Sequence, residues 1–188
     1  MKTIIEAYDL VAIPVDIDAN TLEPDLKDAQ NKITHNTKAF LFAHIFGAIS
    51  NLTSLANFCQ KNKLLLIEDG AQIFSGREYI AHPKADITMI SFGPLKTATT
   101  LAGAIMSLRN THKNLLDKIT KIESGRPKYK RLDYLKRVLK FSAQHYLSSP
   151  ILFTAFVYSC HILKKDYDVI ISKLTRSSGE PVNAAEGR

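Results

Sequence analysis

Apolar and polar positions along the chain alternate between two spacings. Val11-Ala12-Ile13-Pro14-Val15-Asp16-Ile17-Asp18 is a β-rich run in which Pro14 predicts an edge or a bend. Asn20 to Ile33 reads as a turn into a helix, with Pro24 near its first turn and Asp25 and Asp28 favouring the amino end. Lys38 to His44 is a second strand, stopped by Gly47. Between Asn51 and Asn62, Leu52, Leu55, Ala56, Phe58 and Cys59 follow three-and-four spacing, so an amphipathic helix is expected, capped by Ser50 or Asn51. Leu64 to Glu68 is unbrokenly apolar until its last residue, which predicts a strand buried on both faces of a parallel sheet. Asp86–Phe92 and Gly103–Leu108 are the fourth and fifth strands, and a helix follows from about Thr111 to Glu123. Strands alternating with helices at this interval predict an α/β, partial doubly wound, mainly parallel sheet over residues 1–123.

The pattern changes after the turn-like Ser124-Gly125-Arg126-Pro127. Residues 124–176 are expected to form a helical segment, first basic and then apolar, and 177–188 a disordered tail of small and polar residues. Phe141 to Leu163 carries no Lys, Arg, Asp or Glu for 23 residues, enough to cross a bilayer. Ser142, Gln144, His145, Ser148, Ser149, Pro150 and His161 oppose that depth, so a buried or interfacial helix pair is the favoured reading.

Composition alters this picture at one point. The chain of 188 residues has a net charge of +7. Residues 113–140 hold ten Lys or Arg against Asp117, Glu123 and Asp133, and the remainder is balanced. The excess is a solvated helical face or a docking surface for a phosphate-bearing substrate, an anionic membrane or another subunit. No nucleic-acid motif accompanies it, so no nucleic-acid partner is expected; membrane association is the less favoured of the docking readings. Cys59 and Cys160 lack metal-type spacing and read as reduced, buried thiols of a cytoplasmic protein without a metal site. No apolar block follows Lys2, so no signal peptide is expected.

The chemistry concentrates after two of the strands. Leu64-Leu65-Leu66-Ile67-Glu68-Asp69-Gly70-Ala71-Gln72 ends an apolar run in an acid, and Ser91-Phe92-Gly93-Pro94-Leu95-Lys96-Thr97 ends another in a lysine-bearing loop. Parallel sheets place ligands at the carboxyl ends of their strands. An amine and a carboxylate meeting there suit pyridoxal phosphate (PLP): Lys96 can form a Schiff base, and Asp69 can pair with the ring nitrogen. Small residues after Asp69 let a planar ring approach the backbone, the Gln72 amide can bond a phenolic oxygen, and Ser91 is within reach of a phosphate. His44 at a strand end could face this pocket or be a satisfied packing residue; Arg77 and Tyr79 could contact substrate or be surface loop residues.

These segments, with Pro14-Val15-Asp16-Ile17-Asp18, Thr37-Lys38-Ala39 and His44-Ile45-Phe46-Gly47, resemble the DegT/DnrJ/StrS aminotransferases, in order over about residues 8–123. The resemblance implies the large domain of a fold-type-I PLP enzyme, often acting on nucleotide-linked keto-sugars. By it, Lys96 would be the Schiff-base lysine and proton shuttle, Asp69 would pair with the pyridinium, and Gln72 would bond the ring hydroxyl. Ala71 would pack on the ring and Ser91 would hold the phosphate. The same resemblance implies a small keto substrate, an amino donor and a homodimer. Thr97 stands where the family usually has Asn, and Gly93-Pro94-Leu95 replaces a commoner Tyr-Pro-Thr. The upstream segment with its phosphate-cupping turn and stacking aromatic, and the far carboxyl portion, are expected to be missing. The rival reading is a degenerate fragment or a non-catalytic partner subunit that keeps the fold.

Overall fold

The computed structural model describes residues 5–74, 76, 81–94, 96, 98–109, 113–126 and 130–176. The expected tail, Thr97, Arg77 and Tyr79 lie outside these residues. Two compact units are present, Ile13–Tyr129 and Met1–Ala12 with Lys130–Arg188.

In the first unit the order is α1 (Leu26–Lys32), β1 (Ala39–Ala43), α2 (Thr53–Lys61), β2 (Leu65–Asp69), β3 (Ile87–Ser91), β4 (Ala104–Leu108) and α3 (Lys113–Gly125). The four strands form one sheet in sequential order. β1, β2 and β3 run parallel, and β4 pairs antiparallel with β3. The α/β class and the mainly parallel sheet are therefore as expected. Ala43, Asp69 and Met89 stand level on neighbouring strands. Because side chains alternate, Phe42, Leu66, Glu68, Thr88 and Ile90 share one face, while Leu41, Ile67, Asp69, Met89 and Ser91 share the other.

The first face carries the core. Phe42, Leu52, Leu55, Ala56, Cys59, Leu64, Leu66 and Ala85 pack together, supported by Leu26, Ile33, Phe40 and Phe58. The apolar stripe of α2 supplies Leu55, Ala56 and Cys59, as its periodicity predicted. Burial pushes the Cys59 thiol up to about 12, with the charge of Asp86 adding to it. Cys59 is therefore expected to resist iodoacetamide in the folded chain at pH 8 and to react on adding urea; equal rates in both conditions would contradict this packing. Since the unfolded thiol ionises near 9.0 and the folded one near 12, unfolding releases protons across that window and stability falls there as pH rises.

Three expectations are corrected. Residues 11–18 form no strand; the contact there is an isolated antiparallel bridge, Ile17 with Pro24. The segment is taken up by side-chain anchors instead: Asp28 Oδ2 accepts from Asp16 N at 2.9 Å, and Asp18 Oδ1 accepts from Asn20 N and Thr21 N. Helix α1 accordingly starts later, with Asp25 as its cap accepting from Lys27 N and Asp28 N, so Pro24 precedes the helix. Finally, β2 is buried on one face only: Leu65 is 38% exposed and its neighbour Leu41 37%. Among the described residues α2 covers the Leu66–Glu68 side.

In the second unit, α4 (Arg131–Leu147), α5 (Pro150–Ile162) and α6 (Tyr167–Arg176) follow one another, α4 packing on α5 and α5 on α6. Ser148 and Ser149 break the apolar run and Pro150 opens α5, where its missing N–H costs nothing. A helix pair forms as expected, but it is largely exposed: Leu132, Leu139, Tyr146, Ile151 and Tyr158 face solvent, and Cys160 is buried. Short helices can each cover only the side turned to a neighbour. Among the described residues, no helix is long and apolar enough to cross a membrane.

Candidate active site

Asp69 is the last residue of β2, and the chain turns immediately behind it. Ala71 N donates to Asp69 Oδ1 at 3.0 Å, an Asx-type turn that the short side chain forms with its own backbone. Gly70 N donates to Met89 O at 2.8 Å, tying the turn to β3. A Cβ on Gly70 would sit 3.2 Å from Met89 O and 3.1 Å from Ile73 Cδ1. Gly70→Ala is therefore expected to cost about 1–3 kcal/mol, read as a lower urea midpoint, since backbone cannot give way as a side chain can. An unchanged midpoint would remove this constraint.

The Asp69 oxygen Oδ2 bonds to nothing among the described residues. Gln72 follows in the same turn, and its carbonyl Oε1 accepts from Phe46 N at 3.1 Å, while its NH2 group has no partner among the described residues. Ala71 lies between them, half-buried.

Ser91 closes β3 two residues beyond the level of Asp69 and on the same face of the sheet. Its Oγ accepts from Gly93 N at 3.3 Å. Beyond it the loop is tied at both ends: Phe92 N donates to Gly103 O at 3.0 Å, and Thr100 N to Phe92 O at 3.1 Å. Lys96 N donates to Gly93 O at 3.1 Å in a tight turn. The position a Cβ would take on Gly93 lies 3.5 Å from Ser91 Oγ and 4.0 Å from Lys96 Cγ, so the hydroxyl and the lysine stem flank the same glycine. The Lys96 amine has no partner among the described residues. Asp69, Ala71 and Gln72 thus belong to the turn after β2, while Ser91 and Lys96 belong to the end of the adjacent parallel strand β3 and its loop. Among the described residues, no group of three or more His, Cys, Asp or Glu could hold a metal ion.

On the opposite face lies a polar cluster whose role the sequence did not reveal. Glu68 is 0% exposed and His44 2%. Glu68 Oε1 accepts from His44 Nε2 at 3.0 Å, while Oε2 accepts from Thr88 Oγ1 at 3.0 Å and His82 N at 2.9 Å. His44 Nδ1 accepts from Ser50 N at 3.2 Å, so the ring proton that meets Glu68 sits on Nε2. His44 is a satisfied packing histidine. The available signal was Glu68 itself, an acid alternating onto the buried face of an otherwise apolar strand.

Comparison with known proteins gives the family and the fold. The DegT/DnrJ/EryC1/StrS aminotransferase family matches residues 2–134. A dTDP-4-dehydro-2,3,6-trideoxy-D-glucose 4-aminotransferase of Saccharopolyspora spinosa is 45% identical over 56 residues, 30% of this chain and 14% of that protein. A GDP-perosamine synthase of Escherichia coli O157:H7 is 30% identical over 95 residues, 49% of this chain and 26% of that protein. Among solved structures, a sugar aminotransferase from Micromonospora echinospora is 28% identical with a TM-score of 0.53, covering 61% of this chain and 33% of that one. A putative sugar aminotransferase from Streptococcus pneumoniae in its PLP form has a TM-score of 0.56 at 20% identity, covering 64% and 36%, which speaks for the fold. The chain spans about a quarter or less of the length of these curated relatives. With the family matched over well more than half of its residues, the chain belongs to the DegT/DnrJ/EryC1/StrS aminotransferases.

Proposed function

We propose that this chain carries part of the site of a PLP-dependent aminotransferase that passes an amino group to a keto acceptor of the nucleotide-linked sugar class. The observation that carries the reading is the pairing of two adjacent parallel strand ends, one offering an acid and an amide, the other a hydroxyl and an amine without a partner among the described residues. The donor set suits the cofactor. The free Oδ2 of Asp69 matches a protonated ring nitrogen, the NH2 of Gln72 matches an anionic ring oxygen, and the Ser91 hydroxyl matches a phosphate.

When bound, PLP supplies an electron sink for bonds broken at the amino-bearing carbon. The protein's own residues do the rest. Asp69 keeps the ring nitrogen protonated, and the Ala71 N–H on its other oxygen restrains the carboxylate. Gln72 and Ala71 orient the ring, and Ser91 anchors the phosphate end. Lys96 would hold the cofactor through its amine, and the same amine would move a proton at the substrate's α-carbon. The large-domain assignment of residues 1–123, the homodimer and the cytoplasmic location belong to the same proposal and rest on the family likeness; the helical segment 124–176 rests on helices α4, α5 and α6.

The test is reductive trapping. The full chain is mixed with PLP, reduced with borohydride and digested, and the peptides are weighed. A phosphopyridoxyl group concentrated on Lys96 supports the reading. Label spread evenly over the exposed lysines, or none, would leave the chain as a non-catalytic relative.

A further inference from the structure

Glu68 and His44 take no part in the chemistry above, yet their bonds lead to Gln72. We propose that Glu68 and His44 are a buried positioning pair: they hold the loop 44–50 so that the Phe46 N–H fixes the amide of Gln72 with its NH2 as the end available to a ligand. The ligand's identity rests on the PLP reading; the positioning does not.

The chain leaves β1 at Ala43, turns, and returns to donate Ser50 N to His44 Nδ1. That bond puts the ring proton on Nε2, facing Glu68 Oε1. The carboxylate is itself held by Thr88 on β3 and by His82 N ahead of it, so the imidazole cannot turn without losing a bond at both nitrogens. Phe42 packs edge-on against the ring, with centroids 5.2 Å apart. The loop therefore closes on a rigid strut.

Inside the loop the backbone is unusual. Phe46 and Gly47 both have positive φ, +57° and +77°, and Ala48 N donates to Ile45 O at 3.1 Å. The Phe46 ring is 88% exposed, so packing of its side chain does not explain a left-handed conformation that a glycine would adopt freely. Its N–H does: it points at Gln72 Oε1, 3.1 Å away. A backbone N–H can only donate, so it admits the carbonyl end of the amide and excludes the NH2 end. An amide left alone could present either end. Held this way, Gln72 is a donor, the polarity that an anionic ring oxygen requires.

The experiment uses the full ¹⁵N-labelled chain without cofactor, comparing the parent with His44→Gln and Ser50→Pro. His44→Gln keeps a donor for Glu68 but offers Ser50 nothing at the δ position; Ser50→Pro removes the N–H and leaves the buried pair intact. In both, the Phe46 amide is expected to exchange about tenfold faster, and the Gln72 side-chain resonances to move to positions typical of exposed glutamines. PLP titrations then give the second arm: Ser50→Pro weakens binding about three- to tenfold, and adds nothing in a chain already carrying Gln72→Ala. Unchanged Phe46 exchange and Gln72 resonances in Ser50→Pro overturn the proposal, as does a weakening that adds in full to that of Gln72→Ala. If no version binds PLP, the functional reading falls, and the exchange and resonance data alone decide the positioning.

Discussion

Replacing Lys96 with alanine is expected to abolish the absorbance band, at roughly 410–430 nm, that PLP gives when joined to a protein amine. Amino transfer by the protein should fall by a factor of about 10³ or more, because one side chain supplies both the covalent hold and the proton carrier. The secondary structure should not change, since Lys96 lies in a loop outside the sheet and its amine has no partner among the described residues. Added methylamine should return part of the rate if proton movement is the lost step. A Lys96→Ala chain that keeps both the band and the rate would assign the chemistry to another lysine.

The largest effect on stability is expected at Glu68. Glu68→Ala removes the acceptor for His44 Nε2, Thr88 Oγ1 and His82 N in a site without solvent, and leaves a hole beside them. Leaving these three donors without their acceptor costs about 1–3 kcal/mol each and the costs do not add simply, so a loss of about 3–5 kcal/mol is expected. Against the usual 5–15 kcal/mol that would bring the chain close to unfolding. Glu68→Gln should cost less, because its carbonyl can still accept from His44 and the Thr88 hydroxyl can rotate to accept from its amide. Urea titration followed by circular dichroism measures both. Equal midpoints for parent and Glu68→Ala would show that the network contributes nothing net.

The two substitutions separate what was legible along the chain from what was not. Asp69 and Lys96 stood out because one ends an apolar run and the other lies in the loop that follows one, and a strand's carboxyl end is where a parallel sheet meets its ligand. Ser91, Gln72 and Ala71 could be attached to them because short turns keep sequence neighbours close in space. Glu68 carried the opposite information. It was expected as the polar last residue of an apolar strand, and alternation sends it into the core, toward partners 24, 20 and 14 residues away. The amino-terminal run failed as a strand for a related reason. Its apolar residues had the right propensity, but Asp28 captures the N–H of Asp16, and Ile17 bridges to Pro24 of the same segment rather than to the sheet.

Local rules thus decided the elements, their alternation, the amphipathic stripe of α2 and the strand ends that carry the proposed chemistry, because hydrophobic spacing and turn residues act within a few positions. Which residue stands level with which, that Asp69 and Ser91 share a face while Glu68 turns away from them, and that Phe46 clamps Gln72, required the folded sheet. Strand register and the pairing of buried polar groups are settled by desolvation over long separations in the chain, where a side chain must find its partner or lose its hydrogen bonds.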